Sequence, residues 1–213
     1  MKKKLLSIVL ASYALVSMAQ ARTYVGIEGG YSATTAYDSG LKPNSFGFAV
    51  PATSVISNAL KNGPRGFSVS GVFGSEDFYG KYFGTRWGVS AGYTQIIARE
   101  DASNKREVID AGLSFDLMLN FINTGSFGFG IFGGVSGDYH YSLTKADKGF
   151  FSRHMFDFSG RAGVTTMLAN HHRLEFFTKL PVASMHAASN EAKLGGVLGF
   201  ARTTFGASYK FVF

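Results

Sequence analysis

Residues 199–213 read GFARTTFGASYKFVF, and the reading of this stretch decides the fold. Counting back from Phe213, every second residue is apolar or small: Phe211, Tyr209, Ala207, Phe205, Thr203 and Ala201. Between them stand Val212, Lys210, Ser208, Gly206, Thr204 and Arg202. Side chains on a strand alternate between two faces, so one face is greasy and the other polar and basic. A half-buried strand of a soluble sandwich could carry the same pattern. The aromatic ending, Tyr209, Phe211 and Phe213, suits instead the closing strand of an outer-membrane barrel, which pairs with the first strand and faces lipid. Phe205, Tyr209, Phe211 and Phe213 are accordingly expected to form a C-terminal assembly signal, with the barrel-assembly machinery as its partner.

The opposite end of the chain supports export. Met1-Lys2-Lys3-Lys4 is a basic start, Leu5 to Met18 an apolar run, and Ala19-Gln20-Ala21 a small-x-small cleavage pattern. This is the layout of a secretory signal peptide over 1–21, leaving 22–213 as the expected barrel domain. The formal charge of +7 includes those three lysines, and without them it is +4. No further run of Lys or Arg exists, so nucleic acid is not an expected partner. Cysteine is absent, so no disulfide framework holds the exported chain. Beyond the leader no apolar run approaches 18 residues, which excludes a spanning helix. If the chain crosses a membrane, it must do so as a closed barrel.

The alternation recurs along the chain. It is expected over Thr23–Ser32, Phe67–Tyr79, Gly84–Thr94, Ile109–Phe121, Phe127–Tyr141, Phe156–Leu168, Arg173–Ala183 and the closing strand. The clearest case is Ile109, Ala111, Leu113, Phe115, Leu117, Leu119 and Phe121, which alternate with Asp110, Gly112, Ser114, Asp116, Met118 and Asn120. Thirteen residues of this pattern exceed the usual five or six of a soluble strand. Connections near residues 80, 124 and 170 are short. Those over 33–66, 95–107, 143–155 and 184–198 are long, and a short helix is expected from Ala52 to Lys61 inside the first. Pro181, which cannot donate to a ladder, is expected near the rim. The fold class is therefore all-β: an eight-stranded antiparallel transmembrane β-barrel with short periplasmic turns and long extracellular loops.

The inward positions hold both signs of charge. Glu28, Asp110, Asp116, Asp138, Asp157 and Glu175 are the acids; Arg86, Arg161, Lys179, Arg202 and Lys210 are the bases. An eight-stranded lumen is just wide enough for side chains to fill. Charges there must pair or be hydrated, so a lumen closed by salt bridges is expected, with inward glycines making room. Catalytic chemistry finds little support. His140-Tyr141-Ser142 has the His-x-Ser spacing of lipid A deacylases, small barrels of similar size. Both residues fall on the inward face, however, Leu143 stands where that family has Asn, and His140 reads as a polar rim residue. His171-His172 point to opposite faces and lack a third metal ligand. No catalytic residue, cofactor or metal is expected.

Several segments together resemble the Helicobacter outer membrane protein family: TYVGIEGGYS after the leader, FGTRWGVSAGY, NHHRLEFFTKLP and TTFGASYKFVF. The resemblance implies a small paralogue without the large extracellular domain of the family's adhesins and porins. The leading functional reading is an integral outer-membrane protein with surface-exposed loops and an envelope, adhesion or host-interaction role. Outer-membrane lipids, lipopolysaccharide and a host surface ligand are its expected partners. The alternatives are a narrow porin-like channel for small solutes and a lipid A-modifying hydrolase.

Overall fold

The computed structural model describes residues 21–38, 47–98, 105–143, 154–186 and 198–213. Residues 1–20 of the expected leader and the centres of the four long connections, 39–46, 99–104, 144–153 and 187–197, lie outside them. The described elements run β1 (Arg22–Asp38), β2 (Gly47–Ala49), α1 (Thr53–Asn62), β3 (Arg65–Tyr79), β4 (Phe83–Ile97), β5 (Lys105–Asn123), β6 (Phe127–Ser142), β7 (His154–Leu168), β8 (His172–His186) and β9 (Leu198–Val212). All pairings are antiparallel. β1, β3, β4, β5, β6, β7 and β8 pair in succession, and β9 pairs with both β8 and β1 to close an eight-stranded barrel. Closure leaves no ladder edge inside the wall, which hydrocarbon could not solvate.

The seam between β1 and β9 is long, from Tyr24↔Val212 to Asp38↔Leu198. Below it the Phe213 N–H donates to the Thr23 carbonyl at 2.8 Å. The pairing of β8 with β9 is shorter and stops at Lys179↔Thr204. Above that point β2 occupies the free edge of β8, with Phe48 opposite Met185. Pro181 sits in this gap, five residues inside β8 and not at the rim. The missing N–H is tolerated because β9 has already left β8 and the pairing with β2 begins only at Ser184. The register against β7 also skips Val182, a bulge between Phe158 and Ser159.

The two faces are the reverse of a soluble protein's. Phe176 is 68% exposed and Ile27 61%, while Arg86 is 2% exposed and Lys210 1%. Aromatics crowd the short-turn end of the outer wall, where Tyr79, Tyr82, Phe83, Phe127 and Phe213 are exposed. That arrangement is the girdle of a lipid-embedded barrel. Gly80 and Gly125, at φ 81° and 90°, let two short turns reverse. The third, between β7 and β8, places Ala169 and Asn170 at φ 49° and 62°. Three residues separate the paired Leu168 and His172, and the two positive φ values turn the chain so that the His171 N–H donates to the Leu168 carbonyl at 3.2 Å.

Strands of 15–19 residues outrun the apolar alternation read from the sequence. At about 3.3 Å per residue they are longer than the ~25 Å apolar band needs. They continue into stretches expected as loop, such as Gln95–Ile97, Lys105–Glu107 and Ser184–His186. The helix forms with Val55, Ile56 and Ala59 at helical spacing, and packs against β1 and β9. Ala33, Ala201 and Thr203 lie on the outward parity of those strands, yet they are buried. Ala201 and Thr203, expected to face lipid, are instead buried on the strand against which α1 packs.

Trp87, the chain's one tryptophan, lies 46% exposed on the outer wall. In reconstituted protein its emission is expected to be quenched by lipids brominated along the acyl chain, and folded protein is expected to migrate differently on gels from boiled protein. A signal-free chain that stays monodisperse in detergent-free buffer would contradict the arrangement.

Candidate functional site

The inward residues sort into three groups along the barrel axis. In the midsection, Arg86 donates Nη2 and Nε to Asp116 Oδ2 at 2.7 and 3.1 Å, and Nη1 to Glu175 across the lumen. Lys210 donates to Glu28 at 3.2 Å, to Ser208 Oγ at 2.8 Å, and to Glu175. Arg161 donates to Glu28 at 3.3 Å and approaches Asp116 at 3.6 Å. Three cations thus meet three carboxylates drawn from β1, β4, β5, β7, β8 and β9. All six residues are buried.

Aromatic rings fill the space between these charges. The Arg86 guanidinium lies 4.8 Å from the Phe132 ring centroid, and that of Arg161 5.5 Å from Phe177. Such contacts are worth about 2 kcal/mol each when desolvated. Tyr24 reaches across to donate its hydroxyl to the Trp87 carbonyl at 3.1 Å. It passes over Gly74 and Gly88, where a Cβ would strike the phenol. A void in this section, lined by Tyr24, Glu28, Arg86, Asp116, Arg161 and Lys210, measures about 10 Å³. That is at the limit of what one water needs, about 10–15 Å³.

At the extracellular end, Arg202 contacts Asp110 at 3.4 Å and Lys179 contacts Asp138 at 3.2 Å. His140 lies between two carboxylates, with Nδ1 on Asp110 and Nε2 3.2 Å from Asp157. It is 1% exposed and so belongs to the interior, not the rim. Both ring nitrogens are engaged by carboxylates, so neither is placed to activate Ser142 as a general base. At the short-turn end, Glu76 Oε1 accepts from Arg22 at 2.8 Å and from Arg173 at 2.9 Å.

Every charge singled out in the sequence therefore lies on the inner face, and the structure draws them into partnerships that alternation could not assign. Glu76, Arg173 and Arg22 were missed. Glu76 and Arg173 lie within the expected segments Phe67–Tyr79 and Arg173–Ala183 at inward positions, so alternation alone would have placed both inside. Tyr24 was missed because an aromatic on a polar face carries no charge signal. Of the C-terminal aromatics, Phe205, Tyr209 and Phe213 are exposed on the outer wall. Phe211 stacks on His171, centroids 5.6 Å apart, and meets Phe213 edge-on at 5.2 Å. His171 Nδ1 bonds the Val212 carbonyl and His172 Nδ1 the Tyr209 hydroxyl, each at 2.7 Å, so both rings tie the start of β8 to β9. Among the described residues no cluster suited to a metal ion is present.

The sequence pattern of the Helicobacter outer membrane protein family matches residues 70–213. The chain belongs to that family. This family member is a protein of the bacterial outer membrane, and its eight-stranded barrel recurs in solved structures. Neisserial surface protein A shares 10% identity over 90% of this chain and 97% of its own, with a TM-score of 0.50. The Yersinia pestis attachment invasion locus protein Ail shares 11% over 88% and 98%, at 0.39. OprG of Pseudomonas aeruginosa shares 14% over 90% and 97%, at 0.41. No curated protein matches the sequence.

Removing Arg86 leaves Asp116 and Glu175 short of their shared guanidinium. Arg86→Ala is expected to cost about 3–5 kcal/mol, as for other broken buried pairs. Urea unfolding from lipid vesicles, followed by Trp87 emission, measures it. Combining Arg86→Ala with Asp116→Asn should cost less than the sum of the two single changes.

Proposed function

We propose that this protein is a surface protein of the envelope whose long extracellular connections carry an adhesive or host-interaction role, on a barrel whose lumen does not conduct. The observation that carries this reading is the midsection, where three cations and three carboxylates pair around a void of only about 10 Å³. A solute path would have to break those pairs, and each uncompensated buried charge costs several kcal/mol. With transport set aside, the part of the molecule left to act is its extracellular end. There the strands run on beyond the apolar band and α1 packs against β1 and β9. Residues 1–21 serve in this reading as the cleaved leader. Phe205, Tyr209, Phe211 and Phe213 present the closing strand to the assembly machinery, an outward aromatic row suited to recognition while β9 is still unpaired.

A strain lacking the protein is expected to lose attachment to host cells while its uptake of small solutes is unchanged. Planar bilayers containing the purified protein should show no steady unitary current. Loss of uptake together with steady currents altered by Arg86→Ala would favour the channel instead. Protease added to whole cells should cut within Ala33–Gly66, and complete protection there would remove the surface role.

A further inference from the structure

Residues 39–74, from the end of β1 through α1 to the middle of β3, contain Lys42, Lys61 and Arg65 and no acid. Two of these cations meet on the outer wall. Arg65 opens β3 and shares its outward face with Phe67 and Val69, both exposed. Its Nη2 donates to the Leu60 carbonyl, so the guanidinium lies beside the last turn of α1, which carries the exposed Lys61. That turn is pressed onto the barrel. Ala59 is buried, the Thr34 N–H donates to the Pro64 carbonyl at 3.0 Å, and a Cβ on Gly63 would come within 2.3 Å of the Thr34 carbonyl. Leu60, Lys61 and Asn62 remain exposed.

Depth decides what this surface meets. From Phe83 in the short-turn girdle to Tyr93, β4 climbs ~33 Å along itself, or ~25 Å along the barrel axis at a tilt of ~40°. That is the height of the apolar band. Arg65 pairs with Ile97, beyond Tyr93 on β4, and with Ala33 on β1. The same rise puts it about 5–10 Å above the band, at the level of lipid head groups. An amphipathic helix with cations on its polar side is the form that lies in such an interface. The acid on this rim, Glu107, stands two strands away on β5, accepts from the Tyr93 hydroxyl at 3.0 Å, and shares its face with Lys105.

We propose that α1 and the start of β3 seat a phosphorylated lipid of the outer leaflet, lipopolysaccharide, with Lys61 and Arg65 on a phosphate and Phe67 and Val69 against its acyl chains. Such a lipid offers phosphate at the depth of the cations and hydrocarbon directly below. A soluble polyanion would match the charges and leave the apolar residues unused. The inference concerns how the first excursion meets the leaflet, so it stands or falls independently of the adhesive role.

The test uses the full folded protein in phosphatidylcholine nanodiscs titrated with lipid A, with bound lipid counted by native mass spectrometry. Bisphosphorylated lipid A is expected to bind saturably, and its dephosphorylated form much more weakly. Lys61→Gln combined with Arg65→Gln should weaken the bisphosphorylated form about thirtyfold, roughly fivefold for each charge at a membrane surface. The dephosphorylated form should bind this variant as it binds the native chain, which a mere undocking of α1 would not produce. Lys105→Gln, on the same rim outside the seat, should change neither. Equal binding of the two lipids by the native chain, a double variant that keeps or loses both alike, or an equal loss from Lys105→Gln would overturn the proposal. So would capture of dextran sulfate, lost in the double variant, without any preference for phosphorylated lipid A, since that assigns the surface to a soluble polyanion.

Discussion

The structure depends on the rule that charges inside a narrow, low-dielectric lumen must be matched one to one. Arg86 illustrates it. The residue joins β4 to its neighbour β5 through Asp116, and to β8 on the opposite wall through Glu175. Lys210 on β9 ties β1 and β8 together through Glu28 and Glu175. Buried pairs of this kind are often no more stable than apolar packing of the same volume. Their effect here is on choice of register. A slip by one residue would turn an inward charge toward lipid, at about 2–4 kcal/mol for Arg or Lys at mid-depth. Six strands share one neutral cluster, so a slip in any one of them leaves charges unmatched on several others.

The outer wall imposes a weaker constraint. Any apolar side chain of moderate size satisfies hydrocarbon, which is why Val25, Val89, Leu113 and Ile131 alternate with larger Phe73 and Phe115 at comparable depth. Specific geometry returns only where the wall is not bounded by lipid. At the top of the seam, β9 leaves β8, β2 fills the edge, and Tyr37 donates its hydroxyl to the Ala49 carbonyl at 2.8 Å. There α1 packs against β1 and β9, the two strands on which the small residues Ala33, Ala201 and Thr203 are buried at outward positions.

This division explains what the sequence could disclose. At membrane depth each residue meets either lipid or lumen, so its chemistry records its face, and Ile109–Phe121 could be read residue by residue. Above that depth both faces meet water or protein. Lys105–Glu107 and Gln95–Ile97 extend the strands without extending the code, which is why they read as loop. Pro181 was placed by its missing donor alone. The ladder partner that would have needed the donor is absent, for a reason set by β9 and β2, both distant in sequence. The same holds for the network. Alternation assigns Arg86 and Glu175 to the lumen, but their contact depends on strand tilt and stagger, which no local pattern carries.

Glycine and charge are the two halves of one solution. Eight strands fix the lumen's radius, and a lumen of that radius has no room for large side chains from every strand at the same height. Where one strand projects a long residue inward, a neighbour must project none. Gly163 faces the Phe132 ring, which a Cβ there would approach to 2.7 Å, and Gly134 faces Asp116 Oδ1, at 2.5 Å. Gly112 likewise makes way for Asp138. Glycine weakens a strand in isolation. In this barrel it admits the side chain whose charge or ring completes the interior. The high glycine content and the buried ions are therefore coupled, and neither could change at one of these positions without a compensating change across the ladder.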